Sequence, residues 1–244
     1  MLRASDYRAR AREALKGNWA LAVIVGVAMS VIVFIINYIP QIILAMGGFI
    51  SLQDILTYEE ASVYASPTGA MIYLILQLLI VLISGALGMG YYLFNINLIK
   101  GSDYRFENLF ARFRIIIKTF GLFFMMGLFV TLWLLLFIIP GIIASFRYAM
   151  APYIMAEDPD VGIMEAISRS KEMMVGYKWK YFCLSISFIG WIIVGLFTCG
   201  IGLLWVSPYM EAANAAFYLE ISGYNSQNTE NTSNAQYEYN YYDE

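Results

Sequence analysis

Two side chains in this sequence could place charge inside an otherwise apolar interior, Arg147 and Glu211. Arg147 is the one ion in the stretch 119–156, and Glu211 directly follows the uncharged run 181–210. An arginine at the centre of a bilayer costs about 2.5–3.5 kcal/mol on insertion scales, so it must face other helices or water. Arg147 lies six residues past Gly141, and Glu211 nine past Gly202. If both helices return across a membrane, a rise of about 1.5 Å per residue puts the two within about 5 Å in depth. The spacing predicts a buried Arg147–Glu211 pair, either a clasp in a helical bundle or a mid-depth site for a substrate or ion. Asn95 and Asn97, in a third apolar run, are expected to hydrogen-bond between helices. Such bonds average ~0.6 kcal/mol in membranes, which suits glue better than ligand binding.

Other chemistry finds little support. There is no histidine, and Cys183 and Cys199 lie sixteen residues apart on one predicted helix. That is about 24 Å of rise, beyond disulfide reach. No Gly-x-x-x-x-Gly-Lys phosphate loop occurs, and Gly85-Ala-Leu-Gly-Met-Gly90 lacks the dinucleotide spacing. Glu157, Asp158 and Asp160 could hold a divalent cation, but Asp160 reads better as the N-cap of a helix over 162–175. Met125, Met126, Met173 and Met174 read as gap-fillers. No catalytic, cofactor or metal site is expected, and the chain is not read as an enzyme. A formal charge of -3 also excludes a nucleic-acid binder built on net charge.

The elements that would hold Arg147 and Glu211 follow from composition. Of 244 residues, 60% are hydrophobic and 14% charged, with mean hydropathy +0.65. Soluble domains carry roughly 45–50% apolar and about 25% charged residues. A bilayer core of about 30 Å needs roughly 20 helical residues. The runs 119–156 and 181–210 exceed one crossing and contain turn signals at Ile139-Pro140-Gly141 and Thr198-Cys199-Gly200-Ile201-Gly202. Lys and Arg collect on the cytoplasmic side of membrane proteins. Here they cluster at 3–16, 100–118 and 169–180, while 51–69 holds only Asp54, Glu59 and Glu60 as charges. Folding 119–156 into a hairpin puts all three clusters on one side. The expected fold is therefore all-α, a polytopic bundle of six transmembrane helices in three hairpins. The spans are about 19–46, 70–99, 115–139, 141–156, 180–199 and 201–221, with basic interfacial helices between them and both termini cytoplasmic.

Two of the basic segments resemble each other. Glu13-Ala-Leu-Lys-Gly17-Asn-Trp19 and Glu172-Met-Met-Val-Gly176-Tyr-Lys-Trp179 both place Glu four residues before Gly, with Trp shortly after. Phe106-Glu-Asn-Leu-Phe-Ala-Arg-Phe-Arg114 is a looser third copy. Small residues recur at four-residue spacing in Ala22/Gly26/Ser30, Ser84/Gly88 and Ala212/Ala216, which lets helices approach closely. Residues 223–244 carry no Lys or Arg and are rich in Asn, Ser, Gln, Tyr and Glu, so they are expected to form a disordered acidic tail. Its Tyr237, Tyr239, Tyr241 and Tyr242 read as part of that soluble end, and Asn231-Thr-Ser233 fits a glycosylation acceptor.

Several segments together resemble a bacterial integral-membrane family, domain of unknown function nine hundred and seventy-five. They are Arg12-Glu-Ala-Leu-Lys-Gly-Asn-Trp19, Ile139-Pro-Gly-Ile142, Arg147-Tyr148, Met150-Ala-Pro-Tyr153-Ile-Met-Ala-Glu-Asp158-Pro159 and Ser170-Lys-Glu-Met-Met174. Phe188-Ile-Gly-Trp191, Gly200-Ile-Gly-Leu-Leu-Trp205-Val-Ser-Pro-Tyr209 and Ala216-Phe-Tyr218 complete the set. The resemblance implies a multi-pass protein of the bacterial cell membrane and carries no activity with it. A more distant similarity is to the membrane domain of glycerophosphodiester phosphodiesterases, whose chemistry needs a separate soluble domain. The expected partners are the lipid bilayer, with anionic lipids at the cytoplasmic face, and a membrane transport complex. The expected role is structural or accessory to a transport system. The rival is a transporter of a small solute, lipid or peptide with a polar site near Arg147 and Glu211. A polar cavity at mid-depth would favour the rival, and a bundle filled with Leu, Ile, Phe and Met the first reading.

Overall fold

The computed structural model describes residues 3–49, 66–198 and 200–224. Expectations for the acidic connection at 51–65, for Cys199 and for the tail beyond 224 lie outside them. The described residues form helices and turns, without strands.

Helix α1 (Ala4–Leu15) buries Tyr7, Ala11 and Leu15, spaced four apart on one face. It stops at Gly17, whose φ of 87° suits a residue without Cβ. Helix α2 (Trp19–Met46) follows at once and passes through Pro40 without ending. Helix α3 (Pro67–Lys100) opens with Ser66, whose hydroxyl accepts from Gly69 N at 3.3 Å, and with Pro67 in the first turn. Its 34 residues make about 51 Å of helix, well beyond a bilayer core of about 30 Å. The surplus is its last turns, where Leu87, Met89, Phe94, Ile96 and Leu98 are buried. Two 3-10 turns, Phe106–Phe110 and Phe113–Ile115, fold back over that end.

Helices α4 (Ile116–Leu136) and α5 (Ile138–Tyr148) form the second hairpin. Phe137 alone is extended between them, so the bend comes before Pro140, not at Pro140-Gly141 as the sequence suggested. Proline then sits in the first turn of α5, where its missing N–H leaves no helical bond unmade. A second break follows before α6 (Ala151–Glu157). There the buried Ser170 hydroxyl donates to Arg147 O at 3.0 Å and accepts from Met150 N at 3.2 Å, bonding backbone groups at the interruption. Helix α7 (Ile163–Met173) begins at Gly162. Asp160 is therefore not its N-cap, and Asp158 instead accepts from Asp160 N at 3.1 Å. Shortly after α7, Gly176 takes φ 78°, matching Gly17. The sequence repeat is thus a charged amphipathic helix, a left-handed glycine and a new helix begun near a tryptophan.

The expected span 180–199 is two short helices, α8 (Lys178–Ile186) and α9 (Ile189–Phe197), parted at Ser187 and Phe188. Ser185 and Ser187 donate to Tyr181 O and Leu184 O, back-bonding that bends helices. Helix α10 (Leu203–Ile221) closes the bundle. Among the described residues, five stretches are long and apolar enough to cross a membrane: Trp19–Met46, Pro67–Lys100, Phe106–Leu136, Ile138–Glu157 and Lys178–Phe197. The sixth expected rod, α10, exists but is more polar and mostly buried against α1, α2 and α3.

Burial is uneven along these rods. Tyr7, Leu87, Phe94, Met150, Ala156, Phe188 and Phe217 build a dense core at the end carrying α1 and α7. The opposite end bares its apolar side chains, with Phe137 70% and Phe197 85% exposed. Apolar exposure on this scale marks a surface made for lipid or protein. The apolar face of α1 packs on α10, and Arg10 pairs with Glu220 at 2.7 Å.

Candidate functional site

A cleft of about 630 Å³ separates α2, α3 and α10. From α2 it receives Gly26, Met29, Ser30, Val33, Phe34 and Asn37, one stripe at helical spacing. From α3 come Gly88, Tyr91 and Tyr92, and from α10 Ser207 and Glu211. The small residues read as packing stripes do two things here. Gly26 brings α2 so close to α3 that a Cβ would stand 3.3 Å from the Tyr91 hydroxyl. Gly88 leaves room, since a Cβ there would make only ordinary contact, with Met29 Cε at 3.9 Å.

Among the described residues, Glu211 is the one carboxylate lining this cleft. Its Oε2 accepts a hydrogen bond from Tyr153 Oη at 3.0 Å. Tyr91, Tyr92, Tyr153 and Tyr181 all lie within electrostatic reach of it. The rings are locked together, Tyr92 to Tyr153 at 4.6 Å between centroids and Tyr153 to Tyr218 at 5.6 Å. Tyr91 Oη is buried beside the Asn95 side chain. Ser30 spends its hydroxyl hydrogen on Gly26 O at 2.9 Å, so it offers lone pairs to the cleft. Among the described residues, no Lys or Arg forms an ion pair with Glu211. A carboxylate framed by aromatic faces and acceptor oxygens suits a cation or a strong hydrogen-bond donor.

The expected Arg147–Glu211 pair does not form. Among the described residues Arg147 Nε is buried without a hydrogen-bond partner, and its carbonyl accepts from the Ser170 hydroxyl. Equal depth brings two residues together only where their helices lie side by side, and the helices of Arg147 and Glu211 do not. Helix α5 packs against α4, α7 and α8, whereas α10 packs against α1, α2, α3 and α9. It is α6, through Tyr153, that reaches Glu211.

The expected interhelical bonds of Asn95 and Asn97 are not made either. Asn95 Nδ2 donates to Tyr91 O one turn back at 2.8 Å, and its Oδ1 is buried without a partner. Asn97 Nδ2 donates to Asp103 O at 3.0 Å, tying down the turn that ends α3. The acidic cluster is engaged by protein. Glu157 pairs with Lys100 and accepts from Tyr218 Oη, and Arg169 approaches Asp158 at 3.7 Å. Arg112 Nε donates to Ala156 O at 2.8 Å and Lys118 Nζ to Pro159 O at 3.1 Å, fastening the same end. No group of three or more metal-ligating side chains occurs among the described residues.

The tyrosines are what sequence reasoning missed. Tyr91, Tyr92 and Tyr153 lie inside uncharged apolar runs and Tyr181 opens one, where a buried hydroxyl needs a partner. That need was the available signal.

A family model described as a protein of unknown function, DUF975, matches residues 1–144 and 134–225. No curated protein and no solved structure matches the chain.

Proposed function

We infer that this chain, which belongs to the DUF975 family of proteins of unknown function, is a membrane-embedded binding protein or carrier. Its ligand is a small molecule or amphiphile bearing a cation or strong hydrogen-bond donor. The observation behind this reading is the cleft of about 630 Å³ that holds Glu211 without a basic partner among the described residues. A purely structural bundle has no use for such a space, because filling it with Leu or Phe would gain dispersion and transfer energy. The cleft lies beside Glu211 and not beside Arg147, so the carrier reading stands on the carboxylate alone. An accessory role in a transport complex is the rival.

The test uses the full chain in nanodiscs and lipophilic monocations of graded size, beginning with rhodamine 6G, followed by fluorescence anisotropy. Glu211→Gln should weaken saturable binding about tenfold, equivalent to ~1.4 kcal/mol. Glu165→Gln, on the exposed side of α7, should leave it unchanged. Absence of saturable binding across the series, or binding indifferent to Glu211→Gln, contradicts the reading. Stoichiometric copurification with a transport ATPase would then favour the accessory role.

A further inference from the structure

A separate recess of about 340 Å³ lies against the last hairpin and shares no residue with the Glu211 cleft. Three of the five tryptophans line it, Trp19, Trp191 and Trp205, together with Tyr209 and the exposed Arg12. Arg12 forms no ion pair among the described residues, although Arg10 on the same helix holds Glu220. Arg8, one turn before Arg12, donates to Ser187 O at 3.4 Å, and both cations lie within electrostatic reach of Tyr209. The recess is therefore cationic at the α1 end. From there it runs toward the turn at Thr198 and Gly202. Tyr209 and Gly202 are seven residues apart, about 10 Å of helix. Trp191 and Trp205 are about half exposed, so the recess faces whatever surrounds the bundle.

We propose that this recess binds one anionic phospholipid, its phosphate against Arg12 and an acyl segment between Trp191 and Trp205. Each part of that ligand answers a feature of the site. An uncompensated guanidinium calls for an anion, and arginine forks match phosphate oxygens. The tryptophan walls have little to offer a bare inorganic anion but suit hydrocarbon. Tryptophan and tyrosine beside arginine are also the residues that settle at the headgroup level of a bilayer. An anionic leaflet attracts cations placed there. A neutral hydrocarbon alone would fill the slot and leave Arg12 unanswered. The proposal is independent of the Glu211 reading, since it rests on other residues and another ligand.

The experiment reconstitutes the full chain in vesicles containing brominated-chain phosphatidylglycerol or brominated-chain phosphatidylcholine and reads tryptophan quenching. Phosphatidylglycerol should quench more strongly than phosphatidylcholine at equal mole fraction, saturating at one lipid per chain. Native mass spectrometry from mixed vesicles should show the same single preferred adduct. Arg12→Gln should cut that preference about tenfold, Arg12→Lys should retain most of it, and Arg105→Gln should leave it intact, since Arg105 is exposed and paired with Asp103. Equal quenching by the two lipids overturns the proposal, as does a preference that survives Arg12→Gln. Displacement of the lipid by millimolar inorganic phosphate overturns it as well, because the site would then be a bare anion site. The comparison of the two lipids on the unmodified chain stands even if Arg12→Gln does not accumulate.

Discussion

Gly90→Ala puts the packing at the basic end of α3 under direct test. A Cβ at Gly90 would lie 2.1 Å from Leu109 O, 2.5 Å from Leu109 C and 2.6 Å from Asn108 O. These are backbone atoms of the first 3-10 turn, and they cannot swing aside as a side-chain tip can. Ordinary contact begins near 3.4 Å, so the turn must retreat by about 1.3 Å. That movement would draw Leu109, fully buried, out of the core. Alanine gains about 1 kcal/mol of helix propensity over glycine, against an overpacking cost of about 1–3 kcal/mol or more when backbone must shift. With a backbone shift placing the cost at the upper end of that range, the expected net loss is about 2 kcal/mol, a fall of roughly 4–8 °C in Tm for a chain this long. Gly88→Ala, one half-turn away, where a Cβ would meet only Met29 Cε at an ordinary 3.9 Å, is the control. It should be neutral or stabilising by up to about 1 kcal/mol. Circular dichroism melts of both variants in detergent decide the matter. Equal melting temperatures would show that the turn does not clamp α3 as described.

In a double-mutant cycle, Arg147→Gln and Glu211→Gln should be additive within about 0.3–0.5 kcal/mol, as expected of residues that share no partner; a coupling above 1 kcal/mol in denaturation would restore the direct pair. Glu157→Gln removes the ion pair with Lys100 and weakens the bond from Tyr218, and should cost about 1.5–3 kcal/mol in the same assay; a loss below 0.5 kcal/mol would make this clamp superfluous. Tyr7, in α1, has its phenol pushed up to about 12 from 10.0, first by burial and then by the charge of Glu220. Because the folded value is the higher one, its contribution is complete below pH 10 and fades as pH rises toward 12. Tyr7→Phe should flatten that alkaline limb of the stability profile, and an unchanged limb would assign it to other groups.

The rods were legible because lipid imposes a simple rule, that long runs without charge must be helices. The turn at Gly17 and its echo at Gly176 were visible as a repeat, and the left-handed backbone at both explains why glycine recurs. The breaks were not legible. Ala149–Met150 is held open by Ser170, a residue twenty positions downstream that no local pattern links to it. Residue counting along the chain also carries no sign that α5, which holds Arg147, packs on α4, α7 and α8 and not on α10. Asn95 and Asn97 were read as interhelical because polar side chains in apolar runs need partners. The sequence could not say that the partner would be a carbonyl of their own helix or of its closing turn. The cleft itself depends on how far α2 diverges from α3 and α10, a tertiary quantity with no sequence signature beyond Gly26, Ser30 and Gly88.

Whether the basic connectors share one membrane face is tested most directly by cysteine labelling in a chain already carrying Cys183→Ser and Cys199→Ser. Single cysteines at Arg105, Lys171 and Phe49 are treated with a membrane-impermeant maleimide in membranes of known sidedness, before and after permeabilisation. The arrangement predicts that positions 105 and 171 react together from one side and position 49 from the other. Reaction of position 171 from the side that exposes position 49 would contradict it.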